Sequence, residues 1–402
     1  MIGVDPTSFL VIVVTAAVAS LIATTIEPRF AVPVVVVELL LGILIGPRVA
    51  GLADLDPSTR FFGNLGLGML FFFAGYEIDF DRVRGNPLVR ALGGWAMSLG
   101  LAYGIAGLLV AANVILSDLY TGSAIATTAI GTLIPILRDA GELRTRFGTY
   151  LLAAGASGEF GPILLVTLIL STHHPLHEAL LLILFVVLAV VTGVFAVRSA
   201  WRGWPLLERT FESSSQLAVR LAVVLVFGLV ALATQLGLDL LLGGFVAGMI
   251  TRQALRGHEL RIFESKLIAV GYGFLIPFFF VTSGMAFNVD VLFSSPAAVL
   301  KLPLFVALFL VVRGIPALLL YRDVLPRRDR IALGIFCATE LPLVVAITTL
   351  ALRLGDMRAS TASALVGAAI VSTLVYPLIG LRLRRDRIVE GEEAEEAEAA
   401  PV

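Results

Sequence analysis

Apolar runs of roughly membrane-crossing length, parted by short polar turns, fill almost the whole chain. A helix needs about 20 apolar residues to cross the hydrocarbon core of a bilayer. Thirteen segments meet or approach that length, at residues 8–26, 32–47, 60–79, 88–113, 119–137, 147–171, 176–198, 215–236, 238–256, 262–286, 297–321, 328–353 and 358–381. The pattern predicts an all-α polytopic membrane protein. Residues 1–389 form one transmembrane domain, and residues 390–402, with six glutamates among small residues, are expected to be a disordered acidic tail. The longest inner loop, near Trp201, Trp204 and Phe211, is amphiphilic and is expected to lie along the membrane surface.

Composition agrees. Of 402 residues, 58% are hydrophobic and 15% charged, with a mean hydropathy of +0.97. Ordinary soluble domains have about 45–50% apolar and about 25% charged residues. A soluble enzyme, a nucleic-acid-binding domain and a disordered regulator are therefore excluded, and the lipid bilayer is the expected partner. The net charge of −1 and the single cysteine, Cys337, give neither an anionic-partner bias nor a disulfide or cysteine-zinc framework. No phosphate-binding loop, nucleophile–base arrangement or zinc-type motif is present, so no enzyme is expected. His173, His174 and His177 share one outer loop interrupted by Pro175, which reads as a solvated loop.

Basic residues gather in cytoplasmic loops. With thirteen spans, 23 of the 29 Lys and Arg fall on one side, five on the other, and Arg313 inside a span. That asymmetry predicts a multi-pass cell-membrane protein with an outer N-terminus and a cytoplasmic C-terminus.

Spans 1–6 and 8–13, with span 7 as linker, make two six-helix halves. Corresponding spans 5 and 12 each carry a proline preceded by hydroxyl groups: Thr127, Thr128, Gly131, Thr132 and Pro135 in one, Thr339, Glu340 and Pro342 in the other. Proline removes a backbone donor and crowds the carbonyl four residues earlier. Discontinuous helices at matching positions of inverted repeats expose carbonyls and helix ends that can hold a cation. A pair of proline kinks with no ligand role is the alternative.

Ionisable groups inside a span are functional candidates. Glu159 stands mid-span, among Gly155, Gly158 and Gly161. A carboxylate there can hold a proton or a bare cation, but not readily both. Arg313 has no partner nearby in sequence and stays charged, so it can balance a carboxylate or a helix end. Glu340 is expected to neutralise a half-helix end or to join an ion path. Glu38 is deep in span 2, Glu77 lies near a span end, and Asp239 reads as a helix N-cap.

Several segments resemble the monovalent cation:proton antiporters, in the branch of bacterial sodium/proton exchangers and Kef-type potassium/proton antiporters. Val37–Pro47 is similar to that branch's GExLAGxxLGP stretch, and Gly66–Ile78, Leu241–Gly248 and Pro277–Met285 are similar to other family segments. The resemblance implies a dimerisation domain beside a six-helix core with two crossed, unwound helices, here spans 5 and 12, and a homodimer without cofactor. The family's acidic pair falls at Gly158-Glu159, so only its second carboxylate is matched. Arg313 stands where electrogenic members carry lysine, and no Kef-type nucleotide-binding domain follows the last span. The implied activity is electroneutral exchange of Na⁺ or K⁺ for H⁺. In it Glu159 is the shared site; Thr128, Thr132 and Ser157 assist the cation; Arg313 and Glu340 balance charge; and Gly131, Pro135 and Pro342 break the helices. A sodium-coupled carrier of an organic solute and a sensing homologue without transport are the alternatives.

Overall fold

The computed structural model describes residues 5–26, 33–77, 83–169, 180–195, 198, 216–236, 238, 240–254 and 260–399. The described residues hold helices and loops only. Among the described residues each of the thirteen expected segments contains helix. By length and composition, seven helical stretches among the described residues can cross a membrane, counting each broken pair as one. The histidine loop, the amphiphilic loop and Asp239 lie outside the described residues.

The chain divides into two compact units. The first comprises Met1–Arg82 and Ile163–Asn288. It contains α1 (Pro6–Ile26), α2 (Val34–Ile45), α3 (Pro57–Glu77), α8 (Leu180–Phe195), α9 (Leu217–Gln235), α10 (Leu240–Ala254), α11 (Leu260–Val270) and α12 (Ile276–Ala286), the last two joined by a π-helical turn at Gly271–Leu275. Small residues set its packing. A Cβ on Gly75 would lie 2.0 Å from the carbonyl oxygen of Phe245, and one on Gly248 2.0 Å from that of Phe72. Helices α3 and α10 therefore meet backbone to backbone, the contact that glycine permits between membrane helices. Gly42 and Gly284 do the same for α2 and α12. Glu38 is buried in α2.

The second unit comprises Val83–Pro162 and Val289–Val402. It contains α4 (Asn86–Ala111), α5 (Asp118–Ile125), α6 (Ile130–Asp139), α7 (Arg146–Ile169, as far as Pro162), the short α13 (Val289–Leu292), α14 (Pro296–Leu320), α15 (Arg327–Cys337), α16 (Pro342–Leu354) and α17 (Ala359–Ala399). Apolar side chains on the outer face of α4, among them Val89 and Leu108, stand exposed, as a lipid-facing helix requires. The tail expected to be disordered continues α17 as helix to Ala399; alanine and glutamate are both strong helix formers.

Spans 5 and 12 are each broken in two. The first break, Ala126–Ala129, parts α5 from α6, and the second, Ala338–Leu341, parts α15 from α16. Proline acts differently at the two. Pro342 is the first residue of α16, where its missing N–H needs no acceptor. Pro135 lies inside α6, downstream of the break, and does not make it. The first interruption falls instead on adjacent Thr127 and Thr128, whose β-branched side chains bond locally and across the crossing.

Candidate functional site

Both breaks, α7 and α14 meet inside the second unit. Main-chain groups freed by the breaks are satisfied there, as buried polar groups must be. The amide of Ala129 donates to the carbonyl of Thr339 at 2.8 Å, joining one break to the other, and the amide of Thr128 donates to Gly158 of α7 at 3.0 Å. Ser372 of α17 accepts the Glu340 amide at 3.0 Å.

Helix ends carry partial charge, positive at the N-terminus and negative at the C-terminus. Two of the four ends at the breaks meet an opposite charge. At the start of α6 the amide of Gly131 donates to Oε2 of Glu159 at 3.3 Å. At the end of α15 the carbonyl of Cys337 accepts from Thr128 Oγ1 at 2.5 Å and from Arg313 Nε at 3.4 Å. Arg313 is held on all sides. Nε donates to Thr128 Oγ1 at 2.9 Å, Nη1 to Ser98 Oγ at 3.1 Å, and Nη2 to the carbonyl of Ala154 at 3.2 Å. It forms no ion pair with a described residue. Its charge is spread over a helix end, two hydroxyls and a carbonyl of α7.

The glycines of α7 explain how this cluster fits. A Cβ on Gly155 would meet the side chain of Ile130, one on Gly161 the ring of Trp95, and one on Gly158 the Nη2 of Arg313 at 2.4 Å and Oγ1 of Thr128 at 2.7 Å. The third-residue spacing therefore admits three different neighbours. The space beside Gly158, where the related pattern carries an acidic or amide side chain, is filled by the guanidinium of Arg313.

Glu159 is 1% exposed. Among the described residues its Oε1 has no hydrogen-bond partner, and neither has Oγ1 of the fully buried Thr132 one residue beyond Gly131. A buried polar atom left unpaired is disfavoured by about 1–3 kcal/mol. One such oxygen belongs to the carboxylate that meets the start of α6 and the other to the first turn of α6 itself, a setting that a proton or a small cation can satisfy. Among the described residues no three His, Cys, Asp or Glu gather as a metal site. Any cation held here would be bound by one carboxylate and by hydroxyl and carbonyl oxygens, which suits a hard, singly charged ion.

The structure thus brings together Glu159, Gly131, Thr128, Arg313 and, through the linked breaks, Glu340. Ser157 is buried but lies two positions from Glu159 on one helix, and such residues do not share a face; it makes no hydrogen bond to a described residue. Oε2 of Glu340 lies 2.8 Å from Thr127 Oγ1, and among the described residues its carboxylate meets no amide of α16. Ser98 and Thr127 complete the cluster; the sequence pattern placed Thr127 at the break but gave Ser98 no role. A serine in the apolar run of α4 was the available signal for the first.

The transmembrane sodium/hydrogen exchanger family pattern matches residues 13–381. The chain is 27% identical over 374 residues to YjbQ of Bacillus subtilis (strain 168), covering 87% of this chain and 59% of that one. It is 28% identical over 275 residues to the Na(+)/H(+)-K(+) antiporter GerN of Bacillus cereus, covering 67% of this chain and 69% of the relative. It spans well under two thirds of YjbQ. The fold resembles that of the sodium proton antiporter MjNhaP1 from Methanocaldococcus jannaschii, with a TM-score of 0.60 and 16% identity over 94% of this chain and 95% of the other. The match runs through both breaks, α7 and α14, and the chain belongs to the family of transmembrane sodium/hydrogen exchangers.

Proposed function

We propose that the protein exchanges one monovalent alkali cation, Na⁺ or K⁺, for one H⁺ by alternating access. The observation that carries this reading is the buried Glu159 of α7, bonded through Oε2 to the Gly131 amide at the start of α6, with its Oε1 and the hydroxyl of Thr132 in the first turn of α6 both unpartnered among the described residues. Either ion neutralises the carboxylate, and each must leave before the other enters, which is the requirement for exchange on one site. Thr132 and Thr128 supply hydroxyl oxygen to the cation. Arg313 stays charged throughout and compensates the end of α15. With a single exchangeable carboxylate, one turnover moves no net charge. The name of GerN supports the choice of ions.

The same reading takes the chain as a homodimer in the cell membrane without a cofactor, with thirteen crossings, two inverted six-helix repeats, an outer N-terminus and a cytoplasmic C-terminus. Supporting the sidedness, Arg90 bonds Asp323 at the side read as inner, and Arg358 bonds the Asn113 carbonyl at the side read as outer.

In proteoliposomes carrying a pH-sensitive dye, Li⁺, Na⁺ and K⁺ gradients are expected to drive proton movement in the parent and not in Glu159→Gln. Full activity of that variant would remove Glu159 from the role. A rate that follows an imposed voltage would refute electroneutrality.

A further inference from the structure

The second buried carboxylate at the crossing, Glu340, differs from Glu159 in its donors. It is 0% exposed. Among the described residues, no main-chain amide reaches its side chain, and no Lys, Arg or His forms an ion pair with it. Oε1 has no partner, and the one group at Oε2 is the hydroxyl of Thr127, at 2.8 Å. That hydroxyl also lies 2.9 Å from the carbonyl oxygen of Ala124. A threonine hydroxyl carries one proton, while a carbonyl and an ionised carboxylate only accept. Were Glu340 ionised, two acceptors would compete for that proton, and a full charge would be buried with at most one donor. Buried charges are otherwise paired or well hydrogen-bonded.

The neighbouring groups offer nothing more. Ser372 and Thr373 of α17 bond the main chain of Glu340 and the carbonyl of Ala369. The donors of Arg313 are turned to Thr128, Ser98, Cys337 and Ala154, so Arg313 acts on Glu340 only through space. Tyr376, the other titratable group in its field, donates its hydroxyl to the Val306 carbonyl at 2.5 Å.

We propose that Glu340 holds a resident proton on Oε2. The protonated carboxyl donates to Thr127 Oγ1, whose own proton goes to Ala124, and both short contacts become hydrogen bonds. Glu340 is then a neutral fastener between the breaks, not a fixed negative charge or an exchangeable site. Resting on the antiport reading, this leaves Glu159 as the one carboxylate at the crossing that trades its proton, and so fixes one H⁺ per cation.

Infrared difference spectra of the purified full chain at neutral pH, in light and heavy water, test the proton directly. A protonated-carboxylic-acid C=O component is expected in the parent that is retained in Glu159→Gln and lost from Glu340→Gln. A Glu340→Gln spectrum identical to the parent's in that region would overturn the proposal. Should Glu340→Gln fail to fold, Thr127→Ala serves in its place. Losing its acceptor, the acid band is expected to move to higher frequency, whereas an unmoved band refutes the assignment. A measured flux ratio of two protons per cation would also overturn it. A parent that exchanges no cation would sink the antiport reading and leave the spectral test standing.

Discussion

Replacing Gly158 by alanine tests the architecture of the site with one methyl group. The new Cβ would lie 2.4 Å from Nη2 of Arg313 and 2.7 Å from Oγ1 of Thr128, where ordinary contact begins near 3.4 Å. The guanidinium has to retreat by about an ångström. It is anchored by Thr128, Cys337 and Ser98, so the bond most exposed to the shift is that from Nη2 to Ala154, 3.2 Å long. Losing a hydrogen bond to a charged group removes about 1.5–3 kcal/mol. Crowding a well-packed site adds about 1–3 kcal/mol. Better helix propensity returns about 1 kcal/mol. The net destabilisation is about 1.5–5 kcal/mol, or a fall in Tm of roughly 2–6 °C at about 1.2 °C per kcal/mol for a chain of this length. Gly104→Ala, on the exposed face of α4 with nothing within 4 Å of its Cβ, is the control and is expected to melt at or slightly above the parent. The assay is heating in detergent followed by size-exclusion of the surviving monodisperse protein. Gly158→Ala melting with the control would mean that Arg313 does not occupy that space.

Thr132→Val removes a buried hydroxyl that has no partner, so melting should hold or rise by up to about 1–3 kcal/mol of stability while the apparent KM for the transported cation rises; an unchanged KM would exclude Thr132 as a ligand. Arg384 bonds Glu142 at 2.9 Å and Asp329 at 2.8 Å, with its guanidinium over the ring of Phe147. Arg384→Ala removes the cation that bridges both buried carboxylates and should destabilise by about 3–5 kcal/mol, seen as a lower Tm that added salt does not erase. Asp56 precedes α3. Partial burial alone would raise its carboxyl, but bonds from the amides of Asp5 and Thr59 and the hydroxyl of Ser58 outweigh that and hold it below the usual carboxylate range. Because the folded state favours the ionised form, this contribution is present above about pH 4 and is lost as pH falls through the lowered value. Asp56→Asn should therefore flatten the acid side of the Tm-against-pH curve; an unaltered slope would refute the role.

Much of this was readable along the chain because charge is so scarce in it. Glu159, Arg313 and Glu340 stand out as the ionisable groups deepest in apolar runs, and the structure gathers them in one unit. The threonine and proline clusters mark both interruptions, although Pro135 points to the wrong place: a proline within a helix need not break it when neighbours re-satisfy the freed carbonyl. Rotation about the helix axis was far less legible. Ser157 and Glu159 look like one motif in print but face different ways. Helices that are apolar on every side carry little amphipathic signal, so nothing in the run around Ser98 says that it turns inward to Arg313. Arg384 counts in the sequence as one more basic residue at a span end, because its partners Glu142 and Asp329 are 242 and 55 positions away.

The bond from Ala129 to Thr339 is made entirely by peptide groups. Any amino acid except proline at position 129 keeps the donor, and every amino acid at position 339 keeps the acceptor. A saturation-mutagenesis map can therefore record tolerance at the very joint that ties the two interruptions together, and a catalogue of natural variants inherits the same blind spot. Replacing the amide at position 129 with an ester, by semisynthesis or by suppression with the α-hydroxy analogue of alanine, is the chemical edit that would make this joint visible.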